Sequence, residues 1–340
     1  MTAPPLTLAI LGCGRVVERL HLPAIRRCPE VRLVGAVEPD PARRGWAGQA
    51  LDRVPVEASL GQLLGQVQPE AVLIATPPGT HAGLALAAIK AGCHVLVEKP
   101  LATTAADARE VMAAAAMRPS RLAVGFNRRF RRPYHTARAL LQGQPFSLRA
   151  RLVTDAARWP SAVTDPDRRH RAMLEDVVPH LLDLVPWLVR RPVEAVRADM
   201  VPPRVEHGVA FTLRLAGGIE VPCTAGHGQR YEEGFHLRQG EQAWLAHPWG
   251  LTRANTYGRA IERAQTALHL VLPKLLGRPN LTALSIQAQL GAFVRACRGQ
   301  EPGELAGPEK GLAAALALDA LVVSQEQGGR WIELNVVERE

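Results

Sequence analysis

Between residues 6 and 125, short apolar runs alternate with helical stretches, and no other feature of the chain limits its fold so strongly. Leu6–Leu11, Val31–Val37, Ala71–Ala75, His94–Val97 and Leu122–Gly125 read as strands. Val16–Arg27, Leu60–Val67, His81–Ala91 and Thr104–Ala116 read as the helices between them, the last with Thr103 or Thr104 as its N-cap. Strands that alternate with helices in this way predict an α/β fold with a parallel, doubly wound sheet.

After about residue 125 the pattern changes. A helix over Pro133–Gln142 leads to the alternating run Phe146–Val153, and a second helix carries Asp176, His180 and Asp183. Pro179 is tolerated in a first helical turn and would kink an interior one, so this helix is expected to start near Val178. Candidate strands follow at Val193–Met200, Val209–Leu215, Ile219–Thr224, Phe235–Gln239 and Ala243–Ala246, which predicts a mostly antiparallel sheet behind helices. Residues 255–281 are less regular, with helical patterning over Arg259–Leu276. Helices over Ile286–Arg298 and Leu312–Gln325 and a strand over Trp331–Val336 complete the reading. The chain's 340 residues suit two domains with separate cores, expected at 1–122 and 123–340.

Composition removes several function classes. The chain is 47% hydrophobic and 21% charged, and no apolar stretch approaches the roughly 20 residues of a membrane span. Met1-Thr2-Ala3-Pro4-Pro5 has no basic n-region, so a cytoplasmic location is expected. Cys13, Cys28, Cys93, Cys223 and Cys297 are odd in number and far apart with no CxxC pair, which fits reduced thiols and no metal site. The formal charge of +9 is spread along the chain, and its one dense run is Arg128-Arg129-Phe130-Arg131-Arg132. No helix-turn-helix, finger or RNA-binding motif accompanies it, so the charge points to a small anion before it points to nucleic acid.

Four strand ends and one helix carry the chemistry. The first strand ends in Gly12-Cys13-Gly14-Arg15-Val16-Val17. Gly12 permits a tight turn, and Gly14 lets backbone approach a pyrophosphate at the helix N-terminus; Arg15 and Val16 complete this candidate cofactor turn. The second strand ends in Val37-Glu38-Pro39-Asp40. Glu38 is spaced to accept hydrogen bonds from ribose hydroxyls and would repel a 2′-phosphate, which favours NAD over NADP, although Arg43 and Arg44 lie just beyond. The third strand ends in Thr76-Pro77-Pro78-Gly79-Thr80-His81, a rigid turn beside the same crevice, with Thr76 and Pro77 as cofactor contacts and His81 capping or orienting the next helix.

The fourth strand runs into Glu98-Lys99-Pro100. Lys90, Lys99, Lys274 and Lys310 are the only lysines among 41 basic residues, so an ammonium at a strand's carboxyl end stands out. Lysine is a compact charge suited to polarising a reacting oxygen. Asp176 and His180 stand at i and i+4 and share a helix face, where a carboxylate can orient an imidazole for proton transfer. Arg128 is a candidate for holding an anionic substrate group, and Trp159 for stacking on a sugar face.

Together these motifs resemble the glucose–fructose oxidoreductase and inositol dehydrogenase-like (Gfo/Idh/MocA) family. The resemblance rests on Gly12-x-Gly14, His21-Leu22-Pro23-Ala24, Ala75-Thr76-Pro77-Pro78 with His81, and Gly92-Cys93-His94-Val95-Leu96-Val97-Glu98-Lys99-Pro100-Leu101. It continues in Gly125-Phe126-Asn127-Arg128-Arg129-Phe130, in Asp176-x-x-x-His180 with Asp183, and in Asp319 to Ser324; residues 225–282 match nothing assignable. It implies a Rossmann domain followed by an α/β domain whose large open sheet often makes the contact of a homodimer or homotetramer. It also implies NAD(P)-dependent interconversion of a secondary alcohol and a ketone on a polyol, cyclitol, sugar or nucleotide-sugar. The family roles carried over are oxygen polarisation by Lys99, proton exchange by His180, orientation by Asp176, and cofactor contact around Glu98 and Lys99. The family's glycines around the aspartate are replaced here by Arg171-Ala172-Met173-Leu174-Glu175-Asp176-Val177-Val178-Pro179-His180. Two alternatives share the motifs: bound NAD as an internal redox catalyst for sugar elimination or glycoside cleavage, and a non-catalytic NAD-binding sensor.

Overall fold

A computed structural model describes residues 4–142, 146–155, 166–200, 207–253 and 281–334. The chain forms two compact units, Met1–Phe130 with Pro279–Leu312, and Arg131–Arg278 with Ala313–Glu340. The first unit thus takes in a segment from far beyond the boundary expected at residue 122.

In the first unit, β1 (Leu6–Leu11), β2 (Val31–Val37), β3 (Val56–Glu57), β4 (Ala71–Ile74), β5 (His94–Val97) and β6 (Leu122–Val124) form one sheet. Their order is β3-β2-β1-β4-β5-β6, and every pairing is parallel. The order reverses between β1 and β4, which opens a crevice beyond the carboxyl ends of the strands, where such sheets bind ligands. Leu8, Ala9, Ile10, Val72, Val95 and Val97 are wholly buried in the sheet.

The turn after β1 runs into a π-helical stretch, Val17–His21, before the short helix Leu22–Ile25. Pro23 supplies a reason for the widened turn: in a regular α-helix its ring would meet the carbonyl of Arg19. Helix Pro41–Ala50, which the apolar pattern does not reveal, is started by Asp40, whose Oδ1 accepts from the Arg43 amide at 2.7 Å. Helix Ala105–Ala116 begins as expected, with Thr104 Oγ1 accepting from the Asp107 amide at 3.1 Å. Helix Leu281–Cys297 returns to this unit and buries Leu290, Phe293 and Val294 among Leu8, Ile10, Val17, Leu73 and Leu96.

The second unit is built on β7 (Ser147–Asp155), β8 (Val193–Ala198), β9 (His207–Leu215), β10 (Ile219–Gly228), β11 (Glu232–Gln239), β12 (Gln242–His247), β13 (Gly250–Arg253) and β14 (Ile332–Glu333). The order is β13-β12-β11-β7-β10-β9-β8-β14. Only β7 and β10 pair in parallel; the other pairs are antiparallel, as expected. One face buries Leu148, Ala150 and Leu152, while the other exposes Ser147, Arg149, Glu220, His236 and Arg238, so this is an open sheet with one polar face.

Helix Pro166–Val189 begins well before the expected start at Val178, and it carries both Pro179 and Pro186 inside it. An interior proline costs about 3 kcal/mol of helix propensity. Met173, Leu174, Val177, Val178, Leu181, Leu182 and Val185 form a buried stripe along this helix, and at about 1.5–3 kcal/mol per buried aliphatic side chain that stripe outweighs the penalty. The expected helix Arg259–Leu276 and the end of the expected strand Trp331–Val336 lie outside the described residues.

Candidate active site

The carboxyl edge of the first sheet gathers most of the residues singled out from the sequence. Gly12 has φ +90°, and a Cβ there would lie 2.7 Å from both the Ala75 carbonyl oxygen and Thr76 Cγ2. Only glycine therefore lets the turn after β1 press against the end of β4. At Gly14 a Cβ would meet nothing within 4 Å, so bare backbone borders open space at the point where a phosphate would approach. Arg15 is exposed and Val16 half-buried just behind it.

Glu38, at the end of β2, is buried with its carboxylate turned to this loop: Oε2 accepts from the Cys13 amide at 2.8 Å and Oε1 from the Asp40 amide at 3.0 Å. A carboxylate has about four acceptor sites, so capacity remains for ribose hydroxyls. Arg43 Nε donates to the Cys13 carbonyl at 3.1 Å, and Arg44 Nη1 to the Glu38 and Pro39 carbonyls at 2.7 Å each. Both arginines are thus tied to main-chain oxygens of the turn. Burial, then the Glu38 charge, push the Cys13 thiol up to about 12 against the pull of Arg43, so no reactive thiolate stands here. The open backbone at Gly14 and the carboxylate beside it fit a dinucleotide with free ribose hydroxyls.

The ends of β4 and β5 lie next to this turn. Thr80 Oγ1 is 2.7 Å from Thr76 Oγ1 and 2.8 Å from the Pro77 carbonyl, which fixes the Thr76–Thr80 turn. Thr76 is half-buried and Pro77 exposed. His81 starts helix His81–Lys90 with its ring buried, Nδ1 2.6 Å from the Pro100 carbonyl and Nε2 2.8 Å from the Thr76 carbonyl.

Glu98 turns inward: its Oε1 lies 2.7 Å from His21 Nε2, and its Oε2 accepts from the Lys99 amide at 3.3 Å. Burial would raise the Glu98 carboxyl, yet the hydrogen bond and charge of His21, with Lys99 and His81, hold it below its ordinary value. A Cβ on Gly125 would come within 3.0 Å of Glu98 Cα and Oε2, so a glycine at the end of β6 makes room for this carboxylate. Lys99 is half-buried between Glu98 and the buried Pro100. Arg128 is half-buried in the short turn Asn127–Phe130. Among these contacts the His21–Glu98 pair escaped the sequence reading, since a buried histidine 77 positions away leaves no local signal.

In the second unit Asp176 is exposed and His180 half-buried on helix Pro166–Val189, one turn apart on the same side, and Asp183 is buried. Arg171 Nε donates to Glu175 Oε1 at 2.7 Å, so the two charges that replace the family's glycines pair with each other. Trp159 lies outside the described residues.

The strand order, the glycine turn and the acid after β2 together define an NAD-binding Rossmann domain of the oxidoreductase type. The chain belongs to the Gfo/Idh/MocA oxidoreductase family: residues 6–126 match the family's NAD-binding Rossmann model and residues 134–245 its C-terminal domain. It is 32% identical over 305 residues to inositol 2-dehydrogenase 2 of Paenarthrobacter aurescens, covering 83% of this chain and 86% of that one. Its fold is similar to that of the Lactobacillus casei myo-inositol dehydrogenase solved with NAD(H) and myo-inositol, with a TM-score of 0.76, 18% identity, and 99% and 98% of the two chains covered. It is also similar to the Bordetella pertussis WlbA dehydrogenase solved with NADH and UDP-GlcNAcA, with a TM-score of 0.78, 21% identity and 99% of each chain covered. No helix among the described residues is long and apolar enough to cross a membrane.

Proposed function

We propose that the chain is an NAD-dependent dehydrogenase of a cyclitol of the inositol type. The observation that carries this reading is Lys99, set at the end of β5 on the strand edge that bears Gly12, Glu38 and Thr76. The identity shared with an inositol 2-dehydrogenase over most of both chains supports the cyclitol.

Bound NAD would supply the two-electron acceptor. Gly12, Gly14, Arg15 and Val16 would seat its pyrophosphate at the turn, Glu38 its ribose hydroxyls, and Thr76 and Pro77 the stretch towards the nicotinamide. Arg43 and Arg44, engaged with main-chain carbonyls, leave the Glu38 carboxylate as the dominant charge there, which favours NAD over NADP. The Lys99 ammonium stabilises the negative charge that grows on the substrate oxygen as its carbon is oxidised. His180 takes the hydroxyl proton, and Asp176, one helical turn away, orients substrate or imidazole. Arg128 and Trp159 are assigned to substrate contact, and the open sheet of the second unit to a homodimer or homotetramer.

The test is Lys99→Met. With myo-inositol and NAD, the variant is expected to lose about 10²–10⁴-fold in kcat/KM, the usual worth of a positioned charge or proton-transfer group, with NAD affinity retained. Full activity in a folded variant would overturn the reading.

A further inference from the structure

Two buried histidines flank the Glu98-Lys99-Pro100 segment, and one of them is surrounded in an unusual way. The His81 ring is 1% exposed. Its Nδ1 lies 2.6 Å from the Pro100 carbonyl oxygen and its Nε2 2.8 Å from the Thr76 carbonyl oxygen. A carbonyl oxygen only accepts, and a neutral imidazole has one N–H, so its other nitrogen would present a lone pair to a lone pair. Rotating the ring by half a turn does not help, because it would bring C–H groups to distances well short of the roughly 3.3–3.6 Å of a weak C–H···O contact. Only the doubly protonated ring satisfies both neighbours.

We propose that His81 is a buried imidazolium that straps the carbonyl of Thr76 to the carbonyl of Pro100, making it a positioning residue for Lys99. The two anchors flank the proposed chemistry: Thr76 ends β4 in the candidate cofactor turn, and Pro100 follows Lys99 directly. The charged and titratable groups around the ring are consistent with a cation. The Glu98 carboxylate is the nearby anion, held in turn by His21 at 2.7 Å, and the charges of His81 and Lys99 both act on it. The Thr76–Thr80 turn keeps bonds of its own through Thr80. Loss of the strap therefore falls on the Pro100 side, where the Lys99 backbone is aimed.

This role rests on the dehydrogenase reading, but its first test does not. In the full-length protein labelled with 15N at histidine and saturated with NAD, the His81 ring, assigned by its loss in His81→Gln, is expected to show a proton on both nitrogens at pH 8. At that pH unperturbed histidines, with a pKa near 6.5, carry about one. A single ring proton would overturn the imidazolium whatever the substrate proves to be. The second test is kinetic. His81→Gln keeps one donor of similar reach and is expected to lower kcat about tenfold, with KM for NAD changed by less than about twofold, as suits a displaced Lys99 and an intact cofactor turn. His81→Phe, with no donor, is expected to fall further while remaining folded. Unchanged kcat in folded His81→Gln, or a loss confined to thermal stability, would overturn the positioning role.

Discussion

At the scale of single residues, two carboxylates set the character of the proposed site. Glu38 accepts two main-chain amides and keeps capacity for a ribose. Hydrogen bonds to a charged acceptor contribute about 1.5–3 kcal/mol, so Glu38→Gln, which keeps the size and removes the charge, is expected to raise KM for NAD about tenfold. It is also expected to narrow the preference over NADP, which parallel KM measurements with the two cofactors would read. Glu98 has a depressed carboxyl pKa in the folded chain. A depressed carboxyl stabilises above its unfolded pKa, near 4.3, and that contribution is lost as pH falls through the lower folded value. The stability gap between the wild type and Glu98→Gln is therefore expected to be constant from neutral pH down to about 5 and to shrink below it. Urea titrations across that range measure it; a gap that widens on acidification would contradict the account.

At the scale of elements, what was legible in the sequence depended on where the stabilising contacts lie. The strands β1, β2 and β5 were readable to the residue because buried parallel strands are continuous apolar runs bounded by turn residues. Helix Pro41–Ala50 was hidden because it buries little beyond Ala47; its signals were Asp40 at the N-cap and Pro41 in the first turn. Helix Pro166–Val189 was cut short because Pro179 argues locally for a start, whereas the buried stripe that overrides it shows only once the sheet is present. Gly12, Glu38 and Lys99 were legible as site candidates because each sits where a strand ends. The inward turn of Glu98 to His21 and the double contact of His81 were not, since both depend on tertiary neighbours.

The helix Leu281–Cys297 bears most on the first unit. Phe293 is wholly buried against strands that lie more than 200 residues earlier in the chain. Nothing in the local amphipathic pattern names that partner. Phe293→Ala is expected to cost about 3–5 kcal/mol, the range for truncating a buried aromatic, and chemical denaturation with NAD present and absent would measure it. A loss below about 1 kcal/mol would mean that the helix is not part of this core.

At the scale of the whole molecule, two units supply different halves of one proposed reaction. The parallel sheet brings the glycine turn, Glu38 and Lys99 to a common edge, and the second unit carries Asp176 and His180 on a long helix. Family membership is shown by matches in both units. The substrate is the step beyond it, since the solved relatives include proteins crystallised with a free cyclitol and with a nucleotide-sugar. The measurement that tests the central claim most directly is the stoichiometry of NAD reduction by myo-inositol. The account predicts one NADH formed for each inositol oxidised to its ketone, with no such turnover in Lys99→Met. Inositol consumed without NADH, or no turnover of inositol beside turnover of a nucleotide-sugar, would contradict it.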